Sequence, residues 1–196
     1  MRKIILFILV IMSISCFSQA RFNGYFVYSS IGTMQKEYSN IKISTNTFQG
    51  IIGKEFLLNS HISLLGGISF ENMYSNYGYL GNNYNLNSKY LGIPIWFRYY
   101  DSTQEQATFF VGLGVVNRMI VKETSVNLSL NASTNGTNDY HMTSYAELGF
   151  RTKIRGNMDG VIGLNYGSDF IKPTSTRILN SANVFLAFEI FDDQNR

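Results

Sequence analysis

The feature that most constrains this chain is strict two-residue alternation, repeated along its length and separated by gaps of two kinds. Segment 107–118 (ATFFVGLGVVNR) shows the unit. Phe109, Val111, Leu113 and Val115 share one face of a strand, and Phe110, Gly112, Gly114, Val116 and Arg118 share the other. The first face is apolar without interruption; the second mixes large, small and charged residues. Period two is the signature of strands. Strands are predicted at 21–31, 46–57, 61–72, 88–100, 107–121, 140–155, 158–168 and 182–191. The intervening gaps run long, short, long, short, long, short, long. An even number of antiparallel strands with long connections at one end and short turns at the other is the layout of an up-and-down membrane barrel, whose apolar face meets lipid and whose mixed face lines the interior. The expected fold is therefore all-β, an eight-stranded antiparallel up-and-down transmembrane barrel.

The N-terminus sets the compartment. Met1-Arg2-Lys3 is basic, residues 4–14 are apolar apart from Ser13, and Ser15-Cys16-Phe17-Ser18-Gln19-Ala20 is small and polar. This is the plan of a secretory signal peptide cleaved near Ala20. The expected organisation is a leader at 1–20 and one barrel domain at 21–196. Cleavage removes the single cysteine, so no disulfide framework is available. It also removes two of the 16 basic residues, leaving 14 against 13 acidic ones. A net charge near +1 argues against nucleic acid as a partner. Beyond the leader no apolar run approaches the roughly 20 residues of a spanning helix, so any crossing of a membrane falls to strands.

Alternation also assigns the faces. Leu91, Ile93, Ile95, Phe97 and Tyr99 are outward; Tyr90, Gly92, Pro94, Trp96 and Arg98 are inward. The same parity sends Glu71, Arg118, Glu147, Arg151, Lys153 and Glu189 inward. With Arg98 these form an expected interior charge network, since an eight-stranded barrel is just wide enough to be filled by side chains and buried charges persist only when paired. Inward Gly67, Gly92, Gly112, Gly114, Gly149 and Gly163 would make room for them. Lys54 falls on the apolar face of its strand and is expected to snorkel at an interface. Tyr28, Tyr74, Tyr99, Tyr100, Tyr140 and Tyr166 are expected in aromatic girdles, and His141 at the outer interface. Pro94, which cannot donate to a ladder, predicts a bulge or kink.

Residues 90–99 (YLGIPIWFRY) carry a more specific pattern. Tyr90, Leu91, Ile93 and Pro94, with the basic Arg98 at the end of the run, resemble the fourth-strand signature of the PorT-like outer-membrane β-barrel family. Residues 110–114 (FVGLG) are similar to that family's next strand, and the leader ending in FSQA is typical of the group. The resemblance implies a cell-envelope barrel in a Gram-negative outer membrane. Its role would be structural or adhesive, or accessory to export. Its partners would be outer-membrane lipid, the barrel assembly machinery and an envelope protein reached through the long outer loops. The chain departs from the common outer-membrane ending, because Phe191 is followed by a polar tail.

The residues offer little for catalysis or cofactors. Two histidines without close partners give no metal spacing, no glycine-rich loop leads into a helix, and no cofactor is expected. His61-Ile62-Ser63 resembles the His-x-Ser pair of outer-membrane lipid A deacylases, but no acid is placed to orient the imidazole. The expectation is a non-enzymatic barrel. Two rival readings remain: a soluble lipocalin-like barrel with its apolar face inside around an apolar ligand, and a lipid-modifying enzyme using His61 and Ser63.

Overall fold

The computed structural model describes residues 21–38, 41–59, 61–101, 106–128, 130, 132–135, 140–171 and 176–191; the leader expected at 1–20 lies outside them. Eight strands form the barrel wall: β1 (Arg21–Tyr38), β2 (Ile41–Leu57), β3 (Ile62–Tyr79), β4 (Asn82–Tyr100), β5 (Ala107–Asn127), β7 (Tyr140–Arg155), β8 (Met158–Ile171) and β9 (Thr176–Phe191). Each pairs antiparallel with its neighbours in sequence. β1 also pairs with β9, from Gly24↔Phe191 to Tyr38↔Thr176, which closes the sheet. A closed sheet has no edge left to template association. A short ninth strand, β6 (Ala132–Asn135), folds back on the far end of β5 from Thr124↔Asn135 to Asn127↔Ala132. It thickens one side of the rim without entering the ring.

The strands are longer than the alternation alone suggests. β3 and β4 continue to Tyr79↔Asn82, so the stretch 73–87 read as a loop is a paired hairpin. It turns through Leu80 and Gly81, both at positive φ (49° and 77°), the backbone of a type I′ turn. β1 and β2 likewise stay paired to Tyr38↔Ile41, and β8 and β9 reach Ile171 and Thr176. Asn- and Tyr-rich sequence lacks apolar alternation and so resembles loop. What ends there is the lipid-facing pattern, while backbone pairing runs on. The wall therefore rises past its apolar belt at the hairpin end.

The facing follows the alternation closely. Leu91, Ile93, Ile95, Phe97 and Tyr99 on β4 and Phe109, Val111, Leu113 and Val115 on β5 are exposed. So are Leu148 and Phe150 on β7, and Val184, Leu186, Phe188 and Ile190 on β9. Tyr90, Trp96, Phe110, Tyr145 and Phe185 are buried inside. This arrangement overturns the soluble lipocalin-like alternative, which needs the apolar face within. Along β4 the outward apolar run from Leu91 to Tyr99 spans roughly 20 Å of barrel axis at the usual rise and tilt, and side chains at both ends bring it near the ~25 Å apolar band of an outer-membrane barrel.

Several local expectations need correction. The register passes Pro94 without a shift: Pro94 pairs with Val116 on β5, and on the β3 side the ladder resumes from Ser69↔Gly92 to Gly66↔Ile95. The proline is absorbed by omitted bridges, and the bulge of β4–β5 lies instead at Lys89/Tyr90. Lys153 is exposed although it faces the buried Asp159 across β7–β8, because it lies at the rim, two residues before the register shift and tight turn at Arg155 and Gly156. Tyr28 and Tyr100 belong to the core, while Tyr74, Tyr99, Tyr140 and Tyr166 are exposed. Lys54 is outward, with its ammonium 5.1 Å from the centre of the Tyr25 ring. The inward glycines do make room. A methyl on Gly149 would fall 2.7 Å from Phe110 Cζ, one on Gly163 2.6 Å from Phe185 Cζ, and one on Gly112 2.6 Å from Glu147 Oε1.

Candidate functional site

The interior is a column of side chains that alternates ionic and aromatic levels. Arg98 organises the level nearest the short turns. Its Nε donates to Glu147 Oε1 at 2.6 Å and its Nη1 to Glu189 Oε1 at 2.8 Å, joining β4 to β7 and β9 across the lumen. Arg151 Nε donates to Asp159 Oδ2 at 2.8 Å and lies 3.3 Å from Glu189 Oε2. Tyr100 donates to Glu55 Oε1 at 2.8 Å. The guanidiniums also cover rings: Arg98 over Phe110 at 4.6 Å and Arg151 over Phe191 at 4.3 Å. Such contacts suit arginine, whose planar cation is weakly hydrated and stacks well.

Above this level Tyr28 stacks on Phe185 (4.7 Å) and near Trp96 (6.0 Å), and its hydroxyl accepts from Asn165 Nδ2 at 2.5 Å. Asn183 donates to Asn165 and accepts from Thr47. Next, Arg118 pairs with Glu71 and donates to the Tyr145 hydroxyl. Toward the hairpin end a small apolar cluster of Met34, Met73, Tyr90, Ile120 and Ile178 lies beside two further polar pairs. Lys36 Nζ donates to Glu123 Oε2 at 2.6 Å and to the Tyr90 hydroxyl at 2.7 Å, and Ser88 also donates to Glu123. His141 Nδ1 stands 2.8 Å from Asp169 Oδ2, which also accepts from the Ile178 backbone N–H; Thr143 donates to Asp169 Oδ1.

The structure thus brings six of the seven residues expected in the charge network into ion pairs within the barrel: Glu71 with Arg118, Arg98 with Glu147 and Glu189, and Arg151 with Glu189. Lys153, exposed at the rim opposite Asp159, joins none of these pairs. Of the motif residues, Tyr90 and Arg98 turn inward to anchor two different levels, Pro94 is buried between them, and Leu91 and Ile93 face outward. The sequence reading missed Lys36, Glu55, Glu123, Asp159, Asp169 and the inward position of His141. Lys36 and Asp169 obey the inward parity of their strands but lie beyond the ends assigned to them. Glu55 lies on the strand whose parity Lys54 had obscured. Glu123 is inward only because the bulge flips the parity of β5.

Neither histidine builds a nucleophile site. His61 is exposed, with Nδ1 3.1 Å from the Tyr100 carbonyl and its ring against Tyr99. Ser63 is fully buried on the other side of the wall, and its Oγ meets no hydrogen-bond partner among the described residues. The lipid-modifying reading built on that pair fails on this geometry. His141 does have Asp169 on one nitrogen and Thr176 Oγ1 3.2 Å from the other. That is the order of an acyl-transfer relay, but the ring is 0 % exposed within the packed column. Its evident work is to tie β7 to β8 and β9. Among the described residues no group of three or more acidic, His or Cys side chains could hold a metal ion.

A closed ring with an apolar exterior, a polar packed interior and every wall strand paired on both sides is a small transmembrane β-barrel of the outer-membrane type. The chain is similar in fold to the outer membrane protein OprG from Pseudomonas aeruginosa, at a TM-score of 0.55 and 12% identity over 89% of this chain and 98% of that one. It is similar to the same degree to Neisserial surface protein A, at a TM-score of 0.54 and 12% identity over 85% and 96%. At that identity the likeness is one of fold. No family model and no curated protein matches the sequence.

Proposed function

We propose that the chain is an exported, PorT-like barrel of a Gram-negative outer membrane that conducts no solute and catalyses no reaction. It serves as a structural element, or as an accessory to export or adhesion, and engages an envelope partner from its outer rim. Residues 1–20 would direct export, and the barrel assembly machinery would insert it. The observation that carries the reading is Arg98, whose guanidinium crosses the lumen to bind Glu147 and Glu189 at once. An eight-stranded ring has no spare width around such a bridge. The β4 motif from Tyr90 to Arg98 supports the PorT-like assignment. The partner surface would be the hairpin tips, where Tyr79, Leu80, Leu128 and Leu130 are exposed. These tips are joined, since the Leu128 N–H donates to the Asn83 carbonyl and the Tyr77 hydroxyl lies 3.5 Å from Ser125 Oγ.

The test is twofold. Membrane-fraction protein should migrate differently on SDS gels with and without boiling, and protein reconstituted into planar bilayers should give no conductance steps. Steady single-channel steps from the wild type would overturn the plugged reading, and recovery in the soluble periplasmic fraction would overturn the membrane one.

A further inference from the structure

Lys89 and Lys122 face each other directly across β4–β5, both exposed on the outer side of the wall. They stand immediately above the apolar belt, next to outward Leu91, Met119 and Val121. Opposed residues of an antiparallel pair have Cβ atoms about 4.5–5.5 Å apart, and like charges there repel. The pairing is not an accident of simple alternation. Strict period two along β5 would send Lys122 into the lumen with Ile120. The bulge at this point leaves Val121 and Lys122 both outward and turns Glu123 in to Lys36. Bulges commonly re-aim a side chain in this way.

Among the described residues, two other basic side chains near the hairpin end, Lys42 and Arg177, are balanced. Glu37 of β1 lies between Lys42 of β2 and Arg177 of β9, opposite each in the ladder. Among the described residues no carboxylate pairs with Lys89 or Lys122. On the other side of Lys89 the facing residue is Asn72 of β3, a neutral amide. The row Asn72–Lys89–Lys122 therefore offers two ammonium groups and an amide in one line, at the height where a bilayer's headgroups begin.

We infer that Lys89 and Lys122 form an outward-facing site for the phosphate of a lipid headgroup in the outer leaflet. A dianionic phosphate monoester between the two ammonium groups turns their repulsion into two charge-assisted hydrogen bonds, while Leu91, Met119 and Val121 lie against the first carbons of its acyl chains. The inference rests on the membrane reading above.

The experiment uses the full barrel in detergent micelles doped with phosphatidic acid or with phosphatidylcholine, and native mass spectrometry counts the lipid retained. Wild type should retain phosphatidic acid about tenfold better than phosphatidylcholine. Lys89→Gln with Lys122→Gln should abolish the preference, and Lys54→Gln, at the other rim, should leave it intact. Equal retention of both lipids by wild type, or an unchanged preference in the double variant, overturns the site. Loss of the phosphatidic acid in favour of bound phosphate, when millimolar inorganic phosphate is added, assigns the pair to a soluble anion and overturns the lipid source. Failure of the membrane reading is scored separately, by the absence of a heat-dependent gel shift. As a second readout, Lys89→Glu should abolish lipid preference while raising the unfolding midpoint, because it replaces a like-charge pair by an opposite-charge one; a fall in both would mean lost structure and overturn the assignment.

Discussion

Lys36 and Glu123, 87 positions apart in the chain, meet at 2.6 Å inside the barrel with side chains 0 % and 6 % exposed. Lys36 reaches across the interior from β1, and the Tyr90 hydroxyl and Ser88 Oγ complete the cluster from β4. Removing one member leaves a buried charge unpaired, which costs about 3–5 kcal/mol, whereas replacing both by apolar groups of similar size is often close to neutral. Lys36→Met should therefore lower unfolding stability in urea-containing vesicles by roughly that amount. The double variant with Glu123→Met should recover most of it. A double variant no better than the single would show that the pair is not coupled.

The same pair shows what alternation reveals and where it stops. Six of the seven residues assigned to the interior network from parity alone meet in the lumen, because a half-lipid, half-core wall writes its facing into every second position. Lys36 obeys that rule too, but the alternation that marks its strand stops at residue 31, where the outward face ceases to be apolar. Past the lipid belt both faces are polar and the hydrophobic signal vanishes, although backbone pairing continues. Glu123 was hidden for a different reason. A bulge changes parity without changing composition, so nothing in the residues around Val121 marks it. His141 and Asp169 are paired across adjacent strands, a matter of register, which a single strand does not report. Lys153 keeps inward parity on β7, opposite Asp159, but lies at the rim, where it is exposed and joins none of these ion pairs.

The apolar wall makes a depth-dependent prediction. Leu113 is 68 % exposed in the middle of the outward row of β5, and Thr124 lies beyond Lys122 on the same strand. Arginine facing mid-bilayer lipid costs about 2–4 kcal/mol, falling to about 0–1 near the interface. Leu113→Arg should destabilise the barrel in vesicles by the larger amount and Thr124→Arg by the smaller. Equal penalties would place residues 113 and 124 in the same medium and defeat the belt assignment.

The packed column predicts intolerance of added volume at its glycines. Gly149 and Gly163 lie beneath the Phe110 and Phe185 rings, the same rings that support Arg98 at 4.6 Å and 5.9 Å. Overpacking a well-filled interior costs about 1–3 kcal/mol. Gly149→Ala should cost at least that much, because its methyl would meet the Ile162 carbonyl oxygen at 2.4 Å as well as Phe110 Cζ at 2.7 Å. Gly50, where an added methyl would meet nothing within 4 Å, serves as the comparison, and Gly50→Ala should be near neutral. Matching losses at the two sites, measured as unfolding midpoints in the same vesicles, would mean that the effect is one of backbone entropy and not of the column.

At the opposite extreme of packing is the β3–β4 hairpin. Leu80 holds a left-handed conformation at φ 49° while 81 % exposed, followed by Gly81 at φ 77°. A non-glycine residue in that region costs about 1–2 kcal/mol, and asparagine tolerates it best through its short polar side chain. An exposed leucine that gains nothing from burial is thus a poor choice for the turn's own stability. Leu80→Asn should stabilise the hairpin, read as slower amide exchange at Tyr79 and Asn82 in the reconstituted protein, with no change in the heat-dependent gel shift of the barrel. Gly81→Val, forced into the same region with a branched side chain, should speed exchange at those amides. If Leu80→Asn instead speeds exchange, the leucine side chain is held by contacts at the rim, and the turn is set by packing there and not by its backbone.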